Sequence, residues 1–329
     1  MPDLKTNYLG LELRNPIVAG SSGLTKSVEG IKRCADAGAG AVVLKSLFEE
    51  EIRLQFSDTQ NALGASHSHP DAYEYFQADL ATHLGPKKYL ELIENASKAV
   101  DIPVIASVNC VTGDTWASYA GQIEAAGAKA LELNVYALPM DPRLTSDELE
   151  SVYVDAVRAV KEKVSIPVSL KLVPHITNTM RLARRLGDVK VDGMVLFNRF
   201  FEPDINIESL EYAGGLSLSE PAEFRHSLRW IALLYGRTQA NLCASTGIYS
   251  GETVVKQILA GASAVQVVSA LYRNGISEVE GMLSVLENWM KRHKFASIND
   301  FKGKMSKALS DDAHLLERAQ HIKAFVNAE

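Results

Sequence analysis

The feature that most restricts the fold is an alternation that repeats along the chain: a short apolar run bounded by turn residues, then a longer stretch with helical spacing. Eight such runs stand at residues 17–19, 41–44, 104–108, 130–133, 168–172, 193–197, 241–244 and 264–268. They are nearly continuous in apolar residues, as strands covered on both faces are. Stretches such as 28–37, 116–126, 147–164 and 252–259 carry the helical periodicity between them. Parallel strands need long crossovers, and eight of them close into a barrel, so the expected fold is a (β/α)8 TIM barrel of the α/β class. Three helices end in one device, Ala37-Gly38-Ala39, Ala126-Gly127-Ala128 and Ala260-Gly261-Ala262, whose glycine suits the left-handed turn after a helix. The competing arrangement is an open doubly wound sheet. It needs a glycine-rich dinucleotide loop after the first strand, and Ala19-Gly-Ser-Ser-Gly23 lacks that spacing.

A barrel of this kind accounts for residues 1–329 as a single domain, with an accessory helical segment from about 297 to 329. Two strand-to-helix loops, about 48–86 and 198–220, exceed plain connections and are expected on the catalytic face as lids. The net charge of −6 offers no basic footprint for nucleic acid. Cys34, Cys110 and Cys243 lie far apart, which argues against a disulfide framework, a zinc site or an iron–sulfur cluster. No apolar run approaches the ~20 residues that cross a bilayer. The opening residues lack the apolar core of a signal peptide, so a soluble cytoplasmic protein is expected.

In a barrel all strands deliver their C-terminal ends to one mouth, so polar residues there are the informative ones. They are Ser21, Ser22, Lys45, Ser46, Asn109, Asn134, Lys171, Asn198, Thr246, Gly247 and Ser269. A lysine next to a buried strand must reach solvent or meet an anion or carbonyl. After the last two strands come Ser245-Thr-Gly-Ile248 and Val268-Ser-Ala270, small residues near helix starts, where barrels bind phosphate. This points to a phosphorylated ligand or cofactor and goes no further.

The motifs in order resemble the dihydroorotate dehydrogenase family, and also the flavin-binding pyrimidine domain of dihydropyrimidine dehydrogenase. They are Asn15-Pro-Ile-Val-Ala-Gly-Ser21, Val43-Leu-Lys-Ser46, Ile105-Ala-Ser-Val-Asn-Cys110, Ala130-Leu-Glu-Leu-Asn134 and Ser169-Leu-Lys-Leu-Val-Pro174. Gly214-Gly-Leu-Ser217, Ser245-Thr-Gly-Ile248 and Ser297-Ile-Asn-Asp-Phe-Lys-Gly303 follow. The resemblance implies an FMN cofactor and hydride transfer between a dihydropyrimidine-like or other small unsaturated ring and flavin N5. It implies flavin contacts from Ser21, Lys45, Ser46, Asn109, Asn134, Lys171 and Asn198, and phosphate contacts from Gly215, Thr246, Gly247 and Ser269. A homodimer and a soluble electron acceptor, or a partner subunit, are implied with it.

One departure bears on the chemistry. Family members carry Asn-x-Ser-Cys-Pro-Asn, or its serine version, after the fourth strand, and its cysteine or serine takes the substrate proton. Here the stretch reads Asn134-Val-Tyr-Ala-Leu-Pro139, so the base position is Ala137. The closing asparagine is missing too, and the lid offers Ala65-Ser-His-Ser-His69 in place of the family's asparagine-rich pattern. Tyr136 stands beside the lost base; His67, His69, Cys110 and His175 are the other candidates. Catalytic roles are therefore expected of Lys45, Asn134 and Tyr136, on a dihydropyrimidine-like or other small unsaturated ring in place of dihydroorotate, or on dihydroorotate itself with a relocated base. Two other readings stay open: a non-redox aldolase or synthase with Lys45 or Lys171 as Schiff-base lysine, and a flavin-binding protein that has lost turnover.

Overall fold

A computed structural model describes residues 1–49, 85–110, 113–135, 137, 139, 141–199, 204–213, 217–306 and 313–326. The chain opens with a hairpin, β1 (Thr6–Tyr8) against β2 (Leu11–Leu13), before the first barrel strand β3 (Ile17–Ala19). Helix α1 (Val28–Asp36) leads to β4 (Ala41–Val43) and the short β5 (Leu47–Phe48). Then come α2 (Pro86–Ala99), β6 (Val104–Cys110), α3 (Gly113–Ala125), β7 (Ala130–Val135), α4 (Ser146–Lys161), β8 (Val168–Leu172), α5 (Thr179–Asp188) and β9 (Gly193–Leu196). A second hairpin, β10 (Asp204–Asn206) with β11 (Glu211–Ala213), precedes α6 (Phe224–Leu234). The chain continues through β12 (Asn241–Ala244), α7 (Gly251–Ala260), β13 (Ala264–Val267), α8 (Ser269–Asn274), α9 (Glu278–His293) and α10 (Ala313–Val326).

The eight strands β3, β4, β6, β7, β8, β9, β12 and β13 pair in parallel in that order, and β13 returns to β3, which closes the barrel. The open-sheet alternative is thereby excluded. Each apolar run of the sequence is a strand, within two residues of the expected bounds. Local chemistry starts and stops the helices. Ser27 accepts from Gly30 N at the start of α1, and Thr145 with Glu148 forms a reciprocal cap on α4. Gly38, Gly127 and Gly261 all carry positive φ after helix ends, as their motif requires.

Two cores result. The larger lies between strands and helices and takes alternate strand residues such as Ile17, Val42, Leu131, Leu170 and Val265. The smaller fills the barrel: Val18, Ala41, Val43, Ile105, Ala130, Val195, Cys243 and Ala264 pack on Tyr8, Leu9 and Leu13 of the first hairpin. That hairpin, which periodicity alone does not reveal, plugs the N-terminal end of the barrel. Leu9 N donates to Asn241 Oδ1 at 2.7 Å, and Thr6 Oγ1 donates to the Ser263 carbonyl at 2.8 Å. Gly193 has no room for a side chain, since a Cβ there would stand 2.4 Å from Leu9 Cδ2.

Strand residues alternate between the two faces, so the inner register continues upward from this apolar plug. On β6 it runs Ile105, Ser107, Asn109; on β7 Ala130, Glu132, Asn134; on β8 Ser169, Lys171; on β13 Ala264, Gln266. The barrel is apolar at its base and polar at its mouth.

Candidate active site

Lys171 is the centre of the polar layer. It is 6% exposed, and its Nζ donates to Gln266 Oε1 at 2.9 Å across the barrel. Gln266 in turn donates through Nε2 to Glu132 Oε2. The other oxygen, Glu132 Oε1, stands 3.8 Å from Lys171 Nζ. Glu132 is 1% exposed, and burial pushes its carboxyl up against the lowering effect of the Lys171 charge and the Gln266 hydrogen bond.

A second polar chain crosses the mouth from strand to strand. Ser21 Oγ and Ser46 Oγ are 3.1 Å apart, and Ser46 Oγ lies 2.8 Å from Ser107 Oγ. Asn134 Nδ2 donates to Ser107 Oγ at 2.9 Å and to Ser46 Oγ at 3.4 Å. Ser46 N donates to Ser21 Oγ at 3.0 Å, which ties the ends of β3 and β4 together. Lys45 follows β4 at the same end of the barrel as Lys171, and Asn109 sits opposite Asn134 in the β6–β7 register.

The third part of the site is the pair of loops after the seventh and eighth barrel strands. Thr246 and Gly247 both have φ of 73°, and Thr246 Oγ1 donates to the Phe197 carbonyl at 3.0 Å. A Cβ on Gly247 would stand 2.3 Å from Phe224 N, so only glycine fits between this turn and the start of α6. Gly247 N donates to Ser219 Oγ at 3.2 Å, and Ser219 Oγ donates to Ser269 Oγ at 2.9 Å. Ser219 therefore joins both loops.

One cavity runs from Lys171 and Gln266, past Ser21 and Asn198, to Thr246, Gly247, Ser219 and Ser269. Of the residues singled out from sequence, Ser21, Ser22, Lys171, Asn198, Thr246, Gly247 and Ser269 line it, and Ser46 and Asn134 join it through hydrogen bonds to Ser21 and one another. Tyr136, Gly215, His67 and His69 lie outside the described residues; Ala137 packs partly buried against the main core. His175 is exposed. Arg199, which also lines the cavity, was not singled out; its Nη1 donates to the Ser217 carbonyl at 2.5 Å and its Nε lies 3.3 Å from Glu223 Oε2.

Glu132 and Gln266, which the sequence reading leaves without a role, carry a signal nonetheless. A carboxylate in Ala130-Leu-Glu-Leu-Asn134 and an amide in Ala264-Val-Gln-Val-Val268 interrupt runs that are otherwise apolar. Ser107 and Ser219 gave no comparable sign. Among the described residues no group of histidine, cysteine, aspartate and glutamate could hold a metal ion, and no helix is long and apolar enough to cross a membrane. Cys34 and Cys243 are buried free thiols, and burial pushes Cys34 up to about 11.

The sequence pattern described as Dihydroorotate dehydrogenase matches residues 70–290. The chain belongs to the dihydroorotate dehydrogenase family. Among relatives, the dihydroorotate dehydrogenase B (NAD(+)) catalytic subunit of Thermoplasma acidophilum is 29% identical over 92% of this chain and 99% of its own. That of Methanocaldococcus jannaschii is 30% identical over 83% of this chain and 88% of its own. The chloroplastic dihydropyrimidine dehydrogenase (NADP(+)) of Arabidopsis thaliana is 24% identical over 96% of this chain and 80% of its own. Dihydroorotate dehydrogenases are FMN flavoproteins and oxidoreductases of CH–CH groups. The family displaces the aldolase reading. The cavity suits the cofactor chemically, with a buried lysine and hydroxyl groups at one end and small-residue loops that exclude side chains at the other.

Proposed function

We infer that this chain is an FMN-dependent oxidoreductase of pyrimidine-like rings whose substrate is not dihydroorotate. The observation that carries the reading is the buried Lys171 ammonium at the floor of a cavity that continues to the loops after the seventh and eighth strands. Bound FMN supplies a hydride acceptor and donor at N5. Lys45, Asn134 and Lys171 are assigned to its ring, Ser21 and Ser46 to its ribityl chain, and Gly215, Thr246, Gly247 and Ser269 to its phosphate, with Asn109 and Asn198 beside them. Lys171 beside the ring would favour the negative charge that a flavin takes up on reduction. Asn134 is held by Ser46 and Ser107, so its amide is fixed before any substrate arrives.

The proton is where this chain departs. Alanine at 137 carries no group that can take a proton, and Tyr136 is the neighbouring side chain that has one. We assign Tyr136 to proton transfer or to shaping the pocket for a different ring. That the relatives are catalytic subunits supports an electron-accepting partner subunit or soluble acceptor, and a homodimer is the proposed assembly. The test is to purify the protein, measure its visible flavin band, and mix it anaerobically with a panel of dihydropyrimidines. Bleaching by a member other than dihydroorotate supports the reading. A yellow protein that no member bleaches points to flavin binding without turnover, and a colourless protein that FMN does not reconstitute refutes the cofactor assignment.

A further inference from the structure

The Glu132–Gln266–Lys171 triad has a geometry that hydrogen bonding alone does not explain. The Gln266 amide is oriented by both neighbours: its oxygen accepts from Lys171 and its nitrogen donates to Glu132. Glu132 Oε1, by contrast, is buried, accepts no hydrogen bond among the described residues, and faces Lys171 Nζ from 3.8 Å. The other titratable groups facing Glu132, Tyr8 and Cys243, are both pushed upward by burial and stay neutral. Glu132 thus acts on Lys171 by charge at short range, inside a barrel that screens poorly.

A buried ion pair is weak support for stability, because apolar residues of similar volume commonly serve as well. The placement has a clearer effect on Lys171. A carboxylate below the ammonium draws it towards the barrel floor, and so lessens the positive field that Lys171 projects into the cavity above.

We propose that Glu132 is a positioning residue that sets how much of the Lys171 charge reaches the flavin, and thereby sets the flavin reduction potential. This rests on the reading that places the flavin ring beside Lys171. Without Glu132, Lys171 presents its full charge to the ring, and the reduced, more negative flavin is favoured.

The experiment is an anaerobic redox titration of the flavin-loaded protein against reference dyes at neutral pH. It compares wild type, Glu132→Gln, Glu132→Asp, Lys171→Met and the Glu132→Gln/Lys171→Met double variant. Glu132→Gln is expected to shift the reduction equilibrium towards the reduced flavin by at least about tenfold, ~30 mV for a two-electron couple. Glu132→Asp keeps the charge and should stay within a few-fold of wild type. Lys171→Met should shift the equilibrium the other way, and Glu132→Gln should add nothing in that background.

A potential that stays or falls in Glu132→Gln overturns the role given to Glu132, as does a Glu132→Gln effect that survives without Lys171. If Lys171→Met changes neither flavin content nor potential, the flavin placement itself fails. A merely structural Glu132 would change melting temperature and leave the potential alone.

Discussion

Replacing Lys171 with methionine tests the buried polar layer directly, because the substitution removes a cation while nearly keeping the side-chain volume. Glu132 then remains 1% exposed, with one oxygen that accepts no hydrogen bond and no positive charge beside it among the described residues. Breaking a buried pair on one side costs ~3–5 kcal/mol, because the remaining charge is uncompensated. In a domain this large that lowers the melting temperature by ~2 °C or somewhat more per kcal/mol, so a fall of ~6–12 °C is expected. The penalty has a pH signature. Burial already raises the Glu132 carboxyl, and the Lys171 charge is the first influence opposing it, so the variant raises it further. A carboxyl raised in the folded state binds protons that the unfolded chain has released, so stability is greatest at acid pH and is lost as pH rises. The variant's deficit relative to wild type should therefore grow as pH rises above the wild-type Glu132 value, which itself lies above that of an unfolded glutamate. Glu132→Gln in the same chain should recover most of the loss. Scanning calorimetry or urea denaturation at several pH values measures this. A deficit that is flat with pH, or one that Glu132→Gln does not relieve, would refute the coupling of the two charges.

Three further outcomes are expected. Gly247→Val forces a β-branched residue into positive φ and against Phe224 N, which should cost ~2–5 kcal/mol and lower the flavin-to-protein ratio of the purified protein; full flavin content would count against the loop's assignment to phosphate. Wild-type protein mixed anaerobically with dihydroorotate should bleach ~10²–10⁴-fold more slowly than family members with the cysteine or serine base; rapid bleaching in stopped flow would mean that another residue performs the family's proton transfer. Leu9→Ala, at the base of the barrel and 1% exposed, should cost ~2–5 kcal/mol in urea denaturation with the spectrum of any bound flavin unchanged; a change in that spectrum would show that the plug and the mouth are coupled.

The site was legible in proportion to how locally each residue acts. Lys171, Asn134, Ser46 and Ser21 end strands, and the closure of parallel strands delivers strand ends to one mouth, so their convergence could be argued without coordinates. Ser107 and Ser219 could not be found that way. Ser107 matters because Ser46 and Asn134, 61 residues before and 27 after it, meet at its hydroxyl. Ser219 matters because it joins two loops 28 and 50 residues further along the chain.

The eight strands, the helices between them and the glycine turns are set by local sequence, because periodicity, capping and left-handed φ are properties of neighbouring residues. Through its ordered motifs the sequence also determined the family. Tertiary structure decided which residues face inward together. Period-two alternation says that Glu132 shares a face with Asn134, and Ser169 with Lys171, but it does not say which face is the interior. Barrel closure and the hairpin plug settled that, by filling the base with Tyr8, Leu9 and Leu13 and leaving the upper interior to polar groups. Gln266 meets both Lys171, 95 residues away, and Glu132, 134 residues away, only because the barrel closes through β13 and β3. A contact of that separation has no local signature, since it exists only once the whole sheet has curled on itself.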